Sequence, residues 1–446
     1  MWRTVNVEAD LMVYPKLRFG LEAVPVHHAG RSFILLRDRL GYNDKPVLLY
    51  PEFAPFLALM DGRHTIRDIQ AFILRRTGQL VHSDQIQEVV RLLDENLLLD
   101  NARFAEHVQN EMQRFHEDPI RRLRHAGKSY PAEAQELRSF LDAMLEAALP
   151  TVQGIDVEGA DPSQCNGLSN IDGPRGPGTQ AGVSSQSALV GLMAPHIDMR
   201  AGATTFGCAY GILGRMKPPD VWVILGTGHE PIENAFAVTL KDFETPFGLV
   251  ACDRHLASEI VRRAPQNILV GEYAHNREHT IEFQAVFLAH VQPEARIVPI
   301  LCSFDVAGWA SQKPVIDRFC GALREAANQV ETSVGFLASV DLAHIGPRYG
   351  DAFVPSRFTV QEHMEADQKL LESLREPNPD AFMDQILRDG NGRKICGVPP
   401  LYVLSRVLQG SAQGRVLHHD HVVVDPQGSF VTFAAMAFVA SKRAEP

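Results

Sequence analysis

The sequence predicts an α/β fold, a mostly parallel sheet flanked by helices, preceded by a small helical domain. Three observations carry this. From Ala188 onward, apolar runs of strand length alternate with longer amphipathic stretches, the order that a parallel sheet with crossover helices produces. Residues 1 to about 101 read instead as a separate set of short elements. Finally, His196 in GLMAPHID, His229 in WVILGTGHEP and His344 in LASVDLAH each follow an apolar run. The carboxyl ends of strands in such sheets are where ligand and catalytic groups collect.

The bulk numbers bound the problem. With 446 residues the chain is long enough for two or three domains, and 45% hydrophobic with 22% charged residues is an ordinary globular composition. The net charge of -11 argues against nonspecific nucleic-acid binding, which needs a basic surface. The segment MWRTVNVEADLMVYP lacks an apolar core of signal-peptide length, and no apolar run approaches the roughly 20 residues that span a bilayer. Six cysteines are scattered at 165, 208, 252, 302, 320 and 396 without a CxxC pair, which points to a reduced cytoplasmic protein with mostly buried thiols.

In the first unit, SFILLRD and KPVLLYP read as strands around the turn residues GYND, and FAPFLALMDG as a short helix ending on Gly62. HTIRDIQAFILRRTG places Ile66, Ile69, Phe72 and Ile73 on one helix face, with Gly78 as the stop. HSDQIQEVVRLLDENLLLDN follows, capped by Ser83 or Asp84, with Ile86, Val89, Val90, Leu92 and Leu93 as its apolar face. NLLLDN reads as the first strand of a wing, so the unit is winged-helix-like. Residues 102–118 form a charged helical connector to a domain over 119–446. Pro131 introduces a helix with Ala132 or Ala134 near its start. Residues 152 to about 186 are rich in Gly, Ser, Pro and Asp and read as a disordered insertion containing Cys165.

In the second unit ALVGLMA, VWVILGT, ARIVPIL and SVGFLASV read as buried strands. HLASEIVRRA, HTIEFQAVFLAHV, VQEHMEADQKLLESL and PLYVLSRVLQ read as helices, and VLHHDHVVVD and SFVTFAAMAFVA as closing strands.

His196 follows a proline that stops its run, and His229 follows the glycines of GTGH; both turns project a side chain into a cleft. A single histidine is as readily a satisfied core or surface residue, but neutral imidazole is also the commonest metal ligand. Asp341 and His344 lie three apart, so a helical turn after the strand would place them on one side, where a carboxylate fixes an imidazole's tautomer. Glu278 and His279 open a helix, where Glu278 is equally a first-turn carboxylate; His279 and Glu282, at i and i+3, could line a pocket. Cys396, just before a helix, is either a soft-metal ligand or a small buried hydrophobe. The HHDH run of His418, His419, Asp420 and His421 is metal-like in composition but alternates across a strand, which makes it mainly surface.

Two resemblances follow from these motifs. LMDGRHTIRDI and LLDENLLLD resemble, over about 60 residues, the PqqD-like peptide-recognition modules of ribosomal peptide biosynthesis; a generic winged helix used for dimerisation or as a lid is the other reading. HAGKSYPAEAQEL, APHID, ILGTGHEP, DFETPFG, REHTIEFQAVFL, SVDLAHIGPRYG, KICG and GSFVTFAAMAFV, in this order over some 320 residues, resemble the Memo-like family, also called AmmeMemoRadiSam system protein B. That family is similar in fold to the class III extradiol dioxygenases. The resemblance implies a metal set of His196, His229 and Cys396. It implies Asp341 and His344 as catalytic groups opposite them, with Glu278 and His279 nearby. The dioxygenases hold Fe(II) with two histidines and a carboxylate; Cys396 in the third place is a departure that favours copper or a redox role.

The expected function is a redox enzyme or oxygenase-like protein with one Fe(II) or Cu site, acting on a small molecule or peptide. The resemblance associates it with radical SAM proteins and AMMECR-type partners, and the chain is expected to bind neither nucleic acid nor membrane. A non-catalytic peptide- or protein-binding adaptor is the alternative from another class. A third reading is a metal-independent hydrolase using Cys396 and a histidine.

Overall fold

In a computed structural model, residues 14–153 and 188–441 are described, apart from positions 29, 39, 44, 79 and 231. The chain divides into two compact units, Met1–Glu117 and Asp118–Pro446. Of the expected insertion, residues 152 and 153 belong to a helix; its remainder and Cys165 lie outside the described residues.

The first unit opens with a three-stranded antiparallel meander, β1 (Leu21–His28), β2 (Arg31–Asp38) and β3 (Val47–Leu49), of which β1 was not expected. Helices α1 (Ala54–Leu57), α2 (Ile66–Thr77), α3 (Ser83–Glu95) and α4 (Ala102–Glu117) follow. A capping box of Thr65 and Asp68 starts α2, and Gly78 at φ +71° ends it. The cap of α3 is His82 rather than Ser83 or Asp84, which are already helical. Ile66, Ile69, Ile73, Ile86, Val89, Val90 and Leu93 pack against Leu36, Val47 and Leu49. Leu92 instead faces solvent at 38% exposure, because it lies a position off that stripe.

NLLLDN is not a strand of a wing. Leu97 takes a left-handed φ of 57°, Leu97 N–H donates to Asp94 O and Leu98 N–H to Leu93 O. This is a Schellman closure of α3, after which Leu98 and Leu99 enter the core and Leu99 makes one bridge to Leu17. Helix α4, expected as a free connector, groups with this first unit.

The second unit begins with β4 (Ile120–Arg121), α5 (Ala134–Gln153), β5 (Leu189–Ala194), α6 (Ala203–Gly211) and β6 (Val221–Thr227). Then come β7 (Phe236–Val238), β8 (Asp242–Thr245), β9 (Gly248–Val250), α7 (Arg254–Arg263), α8 (His279–Val291) and β10 (Arg296–Cys302). It closes with α9 (Trp309–Gln329), β11 (Val334–Ser339), β12 (Asp341–Ile345), α10 (Arg357–Arg375), α11 (Pro379–Arg388), α12 (Val398–Leu408), β13 (Ala412–Val423) and β14 (Phe430–Ala440).

The main sheet has the order β12-β14-β5-β11-β6-β10-β7, with β13 also on β14. Parallel pairing is confined to β5, β11, β6 and β10. The pairings of β7, β12, β13 and β14 are antiparallel, so the sheet is mixed in its pairing, although only β7 and β14 run against the direction of the others. The hairpin of β13 and β14 returns the chain without a crossover helix, which forces the antiparallel sense. Both faces are covered, as parallel strands require. In β6, Val221, Val223 and Leu225 meet one core with α7, α9, α10, α11 and α12, while Trp222 and Ile224 meet the other with α5, α6 and α8. No helix among the described residues is long and apolar enough to cross a membrane.

One buried histidine sets a pH response. His275 is 1% exposed, its Nε2 donates to Ala237 O at 3.0 Å, and among the described residues its Nδ1 has no partner. Burial pushes its pKa down to about 4. Below the unfolded value of about 6.5 the unfolded chain takes a proton that the folded chain refuses until about pH 4, so stability is full above that window and lost as pH falls through it. We expect a loss of about 3 kcal/mol between these limits. His275→Gln should flatten that part of a urea-denaturation series measured against pH; an unchanged slope would contradict the assignment.

Candidate metal centre

Strands β5, β11 and β6 are adjacent and parallel, so the residues just beyond their carboxyl ends share one edge. They are His196 after β5, Asp341 after β11 and His229 after β6. The helix α8 abuts the same edge with Glu278 as its N-cap. Buried hydroxyls and an amide tie these ends together. Thr227 Oγ1 donates to Ser339 O, Thr280 Oγ1 to Thr227 O, and Ser339 Oγ to Thr280 O. Gln284 Nε2 donates to Pro195 O and Ser339 Oγ. Every strand end that carries a site residue is thereby fixed to α8.

Cys396 arrives from the loop before α12, with its Sγ 3.3 Å from His196 Nε2 and 3.6 Å from Asp341 O. A glycine must follow it, since a Cβ at Gly397 would lie 1.8 Å from Val340 Cγ1. The ligand atoms of His196, His229 and Cys396 all lie within 4.8 Å of one another. The rings of His196, His229 and His279 form a tight group, with centroids 5.1–5.4 Å apart.

Glu278 organises two of these rings. Its carboxylate accepts from the backbone N–H groups of His229, His279 and Thr280 at 2.9–3.1 Å. It also contacts His229 Nδ1 at 3.1 Å and His279 Nδ1 at 3.0 Å. A carboxylate facing Nδ1 places the proton there and leaves Nε2 as the free lone pair. Glu278, His229 and His279 form a second set of converging donors. The five hydrogen-bond partners of Glu278 make it an orienting group rather than a ligand. Burial opposes its ionisation, but His229 and His279 hold it well below the usual carboxylate range.

The electrostatics differ across the donor set: His196 is held neutral, His229 favours the protonated ring and Cys396 the protonated thiol. Burial, reinforced by His229 and His279, pushes His196 well below the usual histidine range, so its ring keeps a lone pair. Burial works against charge on His229 too, although 40% of its side chain meets solvent; Glu278 and Cys396 outweigh it and raise the pKa well above the usual range. Burial pushes the Cys396 thiol up and Asp341 up to about 6.

Asp341 and His344 do not form the expected pair. Asp341 begins β12 instead of a helical turn, and the β12–β14 ladder shifts register between these two residues. The Asp341 carboxylate accepts from His196 N–H at 3.0 Å and Ile197 N–H at 3.1 Å, with Oδ2 3.7 Å from His196 Nε2. It therefore positions His196. His344 Nδ1 donates to Leu342 O at 3.0 Å, and the ring meets Tyr349 edge-on at 5.0 Å. Burial pushes His344 down to about 4, which leaves a neutral ring with an accepting Nε2.

Glu282 does not line the pocket. It is fully buried, salt-bridged to Arg121, and accepts from Tyr130 OH at 2.5 Å and His125 N–H at 2.9 Å. Arg121 also donates to His275 O and Glu278 O, while His125 lies edge-on to His279 at 5.7 Å. The sequence reading missed this brace because 118–128 reads as a charged connector. Nothing in DPIRRLR singles out Arg121 among its neighbouring arginines. His418, His419 and His421 are half-buried rather than surface residues: His418 contacts Thr205 Oγ1 at 2.8 Å, and His419 contacts Asp367 at 3.4 Å.

The fold and site thus define an α/β protein with a histidine–histidine–cysteine donor set at the carboxyl edge of its sheet. The model of the Memo-like protein family matches residues 121–437, and the chain belongs to that family. A MEMO1 family protein of Aquifex aeolicus is 26% identical over 428 residues, 95% of this chain and 99% of that protein, so the alignment spans both units. A Thermus thermophilus member is 27% identical over 361 residues, 81% of this chain and 94% of its own length. An uncharacterised Escherichia coli protein of known structure, 14% identical, covers 56% of this chain with a TM-score of 0.28, too slight a likeness to bear on the fold.

Proposed function

We propose that the second unit is a mononuclear Fe or Cu protein with redox or oxygenase-like activity on a small molecule or peptide. The convergence of His196 Nε2, the carboxylate-oriented His229 and Cys396 Sγ carries the reading. The donors fit an ion. Bonds of roughly 2.0–2.1 Å to nitrogen and 2.3 Å to sulfur put two tetrahedral ligands about 3.5 Å apart, close to the 3.3 Å between Cys396 Sγ and His196 Nε2. The buried His196 Nδ1, without a partner among the described residues, is consistent with a ring fixed by its other nitrogen. A bound Fe or Cu would supply one-electron chemistry and open positions for a small ligand.

The chain's own residues do the rest. Glu278 fixes the His229 and His279 tautomers, Asp341 sets the His196 backbone, and His344 Nε2 stands as a proton acceptor. Two histidines at the carboxyl ends of β5 and β6, with a thiol from a loop as third donor, support kinship with the dioxygenases. For the first unit we propose a PqqD-like peptide-binding role in a pathway shared with radical SAM and AMMECR-type proteins. Its support is the LMDG turn, where Asp61 accepts from Arg63 N–H and His64 N–H before the capped α2.

The test is elemental mass spectrometry on anaerobically purified protein beside His196→Ala, His229→Ala and Cys396→Ala. We expect near-stoichiometric Fe or Cu, lost in all three. Folded protein that takes up no redox metal, even on reconstitution, would overturn the redox reading in favour of a peptide- or protein-binding adaptor.

A further inference from the structure

The loop that delivers Cys396 is held by side chains that touch no donor atom. Two of its residues, Asn391 and Lys394, take left-handed φ values of 58° and 53°, a conformation that non-glycine residues hold only when their surroundings impose it. The restraints are visible. Asn391 Oδ1 accepts from Ile395 N–H at 2.9 Å and its Nδ2 donates to Ile395 O at 3.1 Å. Lys394 Nζ meets Asp351 at 2.7 Å, and Asp351 in turn accepts from Gly346 N–H.

Between them stands Arg393. Its guanidinium meets Asp367 at 2.5 Å, with side chains 14% and 0% exposed, and His419 Nε2 approaches the second Asp367 oxygen at 3.4 Å. The backbone carbonyl of Arg393 accepts from His344 N–H at 2.9 Å. Three and four residues further on, Cys396 Sγ and Gly397 N–H donate to the same oxygen, Asp341 O. The loop therefore lies along β12 and touches it at both Asp341 and His344. Asp367 on α10 and His419 on β13 hold it there.

We propose that the buried Asp367–Arg393–His419 cluster is a clamp that fixes Cys396 in the donor set and His344 beside it as one unit. These are positioning residues. His419, from the HHDH run, thereby acquires a role as the lateral support of Asp367. The proposal rests on the reading of Cys396 as a metal ligand. Its chemistry is that of a fully buried anion holding a guanidinium in one geometry, which fixes the loop three residues before the ligand.

Co(II) added to the full-length metal-free protein is the probe, because a thiolate ligand gives a charge-transfer band separate from the visible d–d bands. Wild-type protein is expected to show the thiolate band. Asp367→Asn should raise the Co(II) Kd roughly 10–100-fold and, at saturation, lower the ratio of thiolate to d–d intensity. A merely structural role would lower Tm without moving that ratio. Should Asp367→Asn fail to fold, Arg393→Lys decides, since it keeps the charge and the backbone carbonyl but lacks the fork; it should lower the ratio in the same sense. A folded variant with wild-type affinity and ratio overturns the clamp while leaving Cys396 as a ligand. Absence of the thiolate band in wild-type protein overturns the ligand reading, and the clamp with it.

Discussion

Glu278→Gln should weaken metal binding by roughly 10–100-fold. The carboxylate accepts three backbone N–H groups and two imidazole Nδ1 atoms. An amide offers one oxygen in place of two and turns an N–H₂ toward donors. At least one backbone N–H then loses its acceptor in a dry setting, which costs about 1–3 kcal/mol. The His229 and His279 rings also lose the group that selects their tautomers. Competition titration with a chromophoric chelator measures the affinity, and a thermal melt measures the fold. A variant that melts lower yet binds metal as tightly as wild type would show that Glu278 serves the helix alone.

Arg121→Leu should destabilise the second unit by about 3–5 kcal/mol, or about 4–7 °C in Tm for a unit of this size. Arg121 and Glu282 are both fully buried and salt-bridged, and removal of the cation leaves a carboxylate charged in an apolar setting. Glu282 retains Tyr130 OH and the His125 N–H, so part of the loss is recovered. The free His275 and Glu278 carbonyls are not compensated. Calorimetry settles the magnitude; a change below about 1 kcal/mol would mean that this pair is not what holds residues 118–128 against α8.

How far the sequence revealed the site depends on where each residue lies. His196 and His229 were legible because unbroken apolar runs end one or two residues before them, and parallel strands that are buried on both faces leave just that trace. Cys396 was legible only as a thiol before a helix; its approach to His196 depends on packing of Gly397 against Val340, which no local pattern encodes. Asp341 and His344 were found but misjoined, since a three-residue spacing reads the same in a helical turn and in a strand with a register shift. In the first unit the LLL run had strand composition, yet a left-handed Leu97 closes the preceding helix instead. The Arg121–Glu282 brace spans 161 residues, and long-range pairing of charges leaves no periodicity to read.

Strand β14 has a consequence for synthesis. It pairs with β13 along one edge and with β5 and β12 along the other, although most of the second unit separates it from β5 in sequence. While the ribosome is still at work, β5 has only β11 for a neighbour and presents a bare, apolar edge of Leu189–Ala194. Such an edge is a template for pairing with other chains. The strand that leads to His196 is therefore made long before the strand that seals the sheet beside it.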